Sequence, residues 1–179
     1  SKDEVIVNNK METNIEGIYA VGDVTGIWLL AYVASMQGII AAYNACGIER
    51  EIDYSVIPNA IFTSPEIGSV GIRENQTENK GIKIKKGYFH FRTLGKAHAM
   101  GEIAGFIKII AEAMTDKILG VHIIGPHATD LIHEASLAIQ KGLDVRDMAN
   151  MIHAHPTLSE GLMEAAADVL GEAIHKIKK

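Results

Sequence analysis

Residues 105–124 read Gly-Phe-Ile-Lys-Ile-Ile-Ala-Glu-Ala-Met-Thr-Asp-Lys-Ile-Leu-Gly-Val-His-Ile-Ile. Two runs rich in β-branched residues, 105–111 and 118–124, flank the turn Met114-Thr115-Asp116-Lys117, which is the pattern of a β-hairpin. Upstream of it, residues 59–62, 67–72 and 84–91 carry the same strand signature. Downstream the period changes to that of helices. Residues 129–141 put Leu131, Ala135 and Ala138 on one face and stop at Gly142, and Asp144 can cap a short helix ending near His153. A final helix over 158–177 would bury Leu162, Ala165, Ala166, Val169 and Ile174. Adjacent strands followed by helices predict an α+β domain, a largely antiparallel sheet with helices covering one side.

Further upstream, residues 17–21 read as a short buried strand that Gly22-Asp23 turns into a helix. Leu30, Val33, Ala34, Ala41 and Ala45 set its spacing and Gly47 is a natural stop. Its small residues Ala31, Ala34, Gly38, Ala41 and Ala42 would allow close approach of another backbone. Residues 48–56 lose this periodicity and carry Glu49, Arg50, Glu51 and Asp53, so the expected domains are 1–56 and 57–179.

The chain has 179 residues, 47% hydrophobic and 22% charged, with a formal net charge of -5. That suits a globular protein with a sizeable core and supplies no basic face for nucleic acid. The run Lys80, Lys83, Lys85, Lys86 alternates with Gly81, Ile82 and Ile84 and reads as the solvated face of a strand. No apolar run approaches the ~20 residues that span a bilayer, and Ser1-Lys2-Asp3-Glu4 opens no signal-peptide core. A cytoplasmic or organelle-matrix location is expected, and the start at Ser1 without Met reads as a piece of a longer protein. The single Cys46 excludes an intramolecular disulfide and is expected as a small buried hydrophobe. His122, His127 and His133 cluster near one strand-helix connection, but no metal site is expected from them.

Chemistry concentrates in His153-Ala154-His155-Pro156-Thr157-Leu158-Ser159-Glu160. Thr157 to Glu160 has the spacing of a capping box, in which Glu160 reaches back to a backbone N–H. Alternatively, Glu160 orients His155 as a carboxylate orients a catalytic imidazole, and His155 exchanges a thiol proton near neutral pH. His153 could support His155 or simply pack.

This octapeptide, continued by Gly-Leu-Met-Glu-Ala-Ala, resembles the signature of the dihydrolipoamide dehydrogenase branch of the pyridine-nucleotide disulfide oxidoreductases; glutathione reductases usually have Ser where this chain has Leu158. Residues 57–71, Ile-Pro-Asn-Ala-Ile-Phe-Thr-Ser-Pro-Glu-Ile-Gly-Ser-Val-Gly, look like the opening of that family's dimerisation domain. Thr13-Asn14-Ile15-Glu16-Gly17-Ile18-Tyr19-Ala20-Val21-Gly22-Asp23 is similar to its second FAD motif. The resemblance implies that Asp23 contacts the ribityl-pyrophosphate region of FAD and that the backbone at Leu30 and Ala31 passes near the flavin ring. Leu29-Leu30-Ala31-Tyr32 stands where the family usually has Met-Leu-Ala-His, and Gln37 where an acidic residue is common.

By the same resemblance, His155 and Glu160 form an acid-base pair that reaches into the partner subunit of a homodimer, next to a cis His155–Pro156 bond. The substrate would be a small-molecule dithiol or a lipoyl domain, as in a 2-oxo acid dehydrogenase complex, with NAD as final acceptor. The amino-terminal G-x-G-x-x-G, its NAD counterpart and the Cys-x-x-x-x-Cys pair have no match here, so this stretch by itself is expected to be inactive and to bind FAD weakly at best. A glutathione reductase-like enzyme and a non-catalytic dimerisation module are the alternatives.

Overall fold

The structure is a computed structural model that describes residues 3–79 and 81–176. Lys80 of the basic run and Ile177, the expected end of the last helix, lie outside the described residues. The chain forms two compact units, Ser1–Tyr54 and Ser55–Lys179.

In the first unit, a 3-10 turn at Gly22–Thr25 precedes helix α1 (Ala31–Ala45). Val33, Gln37, Ile40 and Ala41 form its buried side, and Met11, Ile40, Ala41 and Ile52 make a small core with Val7, Tyr19 and Tyr54 packed on it. The helix ends as expected. Gly47 has φ +77°, its N–H reaches the Asn44 carbonyl at 2.9 Å, and the Ile48 N–H reaches that of Tyr43 at 2.9 Å, a Schellman closure. Of the small residues on α1, Ala34 lies beside Gly22, whereas Gly38 faces open space.

Two expectations fail in this unit. Residues 17–21 form only the bridge Glu12–Tyr19, and Ile18 and Val21 are exposed. A ladder needs a partner along its whole length, and among the described residues the backbone bonds across this pairing are Thr13 N–H to Ile18 O and Ala20 N–H to Met11 O. Cys46 is exposed rather than buried, because it caps the helix beyond the last residue of its buried side.

The second unit holds all five expected strands: β1 (Asn59–Ile61), β2 (Glu66–Gly71), β3 (Ile84–His90), β4 (Phe106–Glu112) and β5 (Ile118–Gly125). They pair antiparallel in the order β1-β2-β5-β4-β3. Alternation sends Val70, Phe89, Ile107, Ile109, Val121 and Ile123 to one face, where they meet the buried residues of α4 (Ala128–Gln140) and α6 (Glu160–Val169). Two glycines let these helices sit down on the sheet. A Cβ on Gly68 would lie 2.3 Å from the Ala128 carbonyl oxygen, and one on Gly87 would lie 2.1 Å from that of Ala165. The opposite face carries the polar row Ser69, His122, Lys108 and Tyr88 in register. There Glu74, at the start of α2 (Glu74–Asn79), pairs with both Lys86 and Lys108.

Two short helices, α2 and α3 (Gly95–Met100), interrupt stretches that the sequence reads as connections. Asp144 caps α5 (Val145–Asn150) with a full capping box involving Asp147. The last helix stops at Val169, well before residue 177. Gly171 at φ +76° takes a second Schellman closure, with N–H bonds from Gly171 to Asp168 O and from Glu172 to Ala167 O. Ile174, expected in the core, is consequently 81% exposed.

Candidate active site

Residues 151–159 connect α5 to α6 and bring His155 to the surface. The imidazole Nδ1 lies 2.9 Å from Glu160 Oε1, while Glu160 Oε2 accepts the Thr157 N–H at 2.8 Å. One carboxylate therefore makes both contacts between which the sequence could not choose. The capping box is only half formed. The Thr157 hydroxyl donates to the Ala154 carbonyl at 2.7 Å, and no side chain caps α6. The His155–Pro156 bond is cis, as is Ser64–Pro65. The His155 side chain is 74% exposed and that of Glu160 18%. Partial burial pushes the Glu160 carboxyl up, but the Thr157 N–H and the His155 ring outweigh it and hold the carboxyl below its ordinary range.

The connection is also pinned to α4. The His153 ring is almost fully buried, with Nδ1 2.9 Å from the Met151 carbonyl and Nε2 3.1 Å from Glu134 Oε1 of α4. It thus belongs to the scaffold of the connection and leaves the open surface to His155. Sequence reasoning missed Glu164, one turn beyond Glu160. Its buried carboxylate accepts the backbone N–H groups of Ile174 and His175 and meets His175 Nδ1 at 2.6 Å. A cavity of about 50 Å³ between Leu94, Gly95, Glu160, Met163, Glu164 and His175 joins the two carboxylates.

In the first unit, Asp23 is exposed within the 3-10 turn, Leu30 is the extended N-cap of α1, and Ala31 is its exposed first residue. The turn is fixed by Gln37, which the sequence marks as a departure from the family pattern without showing its partners. Its Oε1 accepts the Gly22 N–H at 2.6 Å and its Nε2 donates to the Tyr54 hydroxyl at 2.8 Å. A neutral amide supplies both an acceptor and a donor here, which a carboxylate could not. An exposed carboxylate at a glycine turn, followed by a helix start without a side-chain cap, fits the polar part of a dinucleotide in kind: Asp23 for hydroxyls, the amides at Ala31 for phosphate oxygens.

The other histidines are spread out. His122 sits between Ser69 Oγ at 2.7 Å and the Ile72 carbonyl at 3.2 Å, and burial pushes its pKa down. His127 faces Asp130, and His133 faces the Asp130 carbonyl. Among the described residues no group of three or more His, Cys, Asp or Glu side chains could hold a metal ion, and no helix is long and apolar enough to cross a membrane.

The chain thus displays an imidazole–carboxylate pair at the start of the last helix of an antiparallel sheet backed by helices. Residues 57–166 fit the pyridine nucleotide-disulphide oxidoreductase dimerisation domain and residues 1–38 fit the pyridine nucleotide-disulphide oxidoreductase domain, so the chain belongs to this family. Similar curated relatives are dihydrolipoyl dehydrogenases. That of Chlamydia muridarum is 48% identical over 94% of this chain and 36% of its own length, and that of Bacillus subtilis is 47% identical over 96% and 36%. The chain spans little more than a third of these relatives. Among solved structures, LpdA from Mycobacterium tuberculosis superposes with a TM-score of 0.84 at 32% identity, covering 91% of this chain and 36% of that one. The flavoprotein disulfide reductase RclA from Escherichia coli, at 24% identity and TM-score 0.87, covers 92% and 38% and shares the fold.

Proposed function

We propose that the full-length protein is an FAD-dependent dihydrolipoamide dehydrogenase, in which this chain supplies the acid-base pair, the dimerisation domain and the last part of the FAD-binding domain. The observation that carries this reading is the division of labour at Glu160. One oxygen holds His155 Nδ1 and the other holds the backbone N–H of Thr157, so the ring is aimed while it stays 74% exposed. With Nδ1–H donated to Glu160, Nε2 is the nitrogen that can accept a proton from a substrate S–H.

The reaction is thiol–disulfide exchange. Nε2 takes the thiol proton, the thiolate attacks a disulfide sulfur, and the second thiol closes the product disulfide while the enzyme pair leaves as a dithiol. The imidazolium is stabilised by Glu160 and later returns the proton. Bound FAD would supply the two-electron chemistry that links the dithiol to NAD. In this chain Asp23, Leu30 and Ala31 would face FAD.

His155 is read as completing a site in the partner subunit. Support comes from Met151 and Ile152, 46% and 96% exposed immediately before the connection that carries it; exposed apolar groups beside a polar site favour burial against a second copy. A lipoyl domain of a 2-oxo acid dehydrogenase complex, in the cytoplasm or an organelle matrix, is the proposed natural substrate setting. A glutathione reductase-like activity is the second reading, disfavoured by Leu158. The two are separated by assaying the purified full-length flavoprotein with dihydrolipoamide and NAD, and with glutathione disulfide and NADPH. Turnover of the first pair at least a hundredfold above the second is expected, and the reverse ratio overturns the assignment.

A further inference from the structure

Glu160, Glu164 and Asp168 recur every fourth residue on α6 and share one face. Each carboxylate has its own partner. Glu160 holds His155 at 2.9 Å, Glu164 holds His175 at 2.6 Å, and Asp168 holds Lys176 at 2.6 Å while accepting the Tyr88 N–H at 2.8 Å. The second and third partners come from one short segment, residues 172–176, folded back along the helix after the Gly171 turn. Glu164 is 3% exposed, and its other contacts are the backbone N–H groups of that same segment. Such a buried carboxylate is tolerated only when paired.

We propose that the segment 172–176 is a charge strap: by neutralising the lower two carboxylates of the α6 stripe, His175 and Lys176 set the proton affinity of the His155–Glu160 pair at its upper end. This rests on the proposed role of His155 as a base. The small cavity lined by Glu160, Glu164 and His175 places the second imidazole next to the first pair, and its charge helps to hold the Glu160 carboxyl down, behind the opposing effect of burial and the contacts of Thr157 and His155.

Among the described residues, the charged and titratable groups paired to the stripe are His155 from the connection and His175 and Lys176 from the strap; Arg146 of α5 is paired instead with Glu172 of the strap, at 3.9 Å. Thr93, Leu94 and Gly95, which close the sheet side of the cavity, bring no charge. Without the strap cations Glu164 and Asp168 would keep their backbone N–H donors, but their negative charge below His155 would lack a counter-cation. That favours the imidazolium, so the base would be freed of its proton only at higher pH. His175 and Lys176 are therefore positioning residues, acting through Glu160 and His155.

The test is the pH profile of kcat/KM for dihydrolipoamide in the full-length flavoenzyme. His175→Gln combined with Lys176→Gln should move the acid limb up by about half a pH unit and leave NADH-to-flavin hydride transfer unchanged. His175→Arg, which restores a cation, should return the limb towards its wild-type position, and Arg146→Gln, which removes an exposed charge of the same sign, should leave it in place. If the double variant superimposes on wild type, or shifts no more than Arg146→Gln, the strap is overturned while the role of His155 stands. If His155→Ala retains both wild-type turnover and the acid limb, the base assignment fails and the strap falls with it.

Discussion

At the scale of residues, Glu160 shows why a motif can support two readings at once, since its two oxygens answer to different neighbours. Glu160→Gln keeps an acceptor for the Thr157 N–H and removes the charge beside His155. The expected outcome is a roughly tenfold loss in dihydrolipoamide turnover and an acid limb moved to lower pH, because the imidazolium loses its counter-charge; a profile identical to wild type would assign Glu160 to the helix start alone. His155 and Glu160 could be found in the sequence because they lie within one octapeptide. The contacts of Gln37, Glu164 and His175 could not. Their partners sit many residues away, Gly22 and Tyr54 for the first and the C-terminal segment for the second, and only the closed fold brings them together. Cys46 was misjudged because apolar composition alone does not say which side of α1 is covered.

At the scale of elements, the seating of α6 on β3 depends on one missing side chain. Gly87→Ala would push a methyl against the Ala165 carbonyl oxygen and Val169, costing roughly 1–3 kcal/mol. Thermal unfolding should show a melting point lower by several degrees, and an unchanged melting curve would mean that helix and sheet are less closely packed than described. Asp144→Ala, which removes both capping bonds of α5, should cost about 1 kcal/mol in the same assay. All five strands could be placed from the sequence, β4 and β5 through β-branched runs and β3 through its aromatic residues, and the capping of α5 through Asp144. The end of α6 did not, because Leu162 to Val169 and Ile174 keep a helical spacing across Gly171, and the left-handed turn there wins over the pattern. Residues 17–21 carry strand composition, but a strand exists only where backbone partners do.

At the scale of the whole molecule, several carboxylates have pKa values lower in the fold than in the open chain. Lys108 and Lys86 hold Glu74 down to about 2, the hydroxyl and N–H of Thr129 lower Glu66, and Glu160 is lowered although burial opposes it. A depressed carboxyl contributes stability that is complete above its unfolded pKa of about 4.3 and is lost as pH falls through the folded value. His122, lowered by burial, adds a loss that begins below about pH 6.5 for the same reason. The urea midpoint should therefore fall from pH 7 to pH 5 and more steeply below it; a midpoint flat down to pH 3 would show that these contacts are not kept in solution. The chain divides into two compact units, and the proposed completion of the site by a second copy is a matter of assembly that one chain by itself does not display. The most direct test of the central claim is His155→Ala in the full-length flavoenzyme, with dihydrolipoamide oxidation and NADH-to-flavin hydride transfer measured side by side. Dithiol turnover should fall by 10²–10⁴-fold with hydride transfer intact, and wild-type dithiol turnover would contradict the assignment of this imidazole as the base.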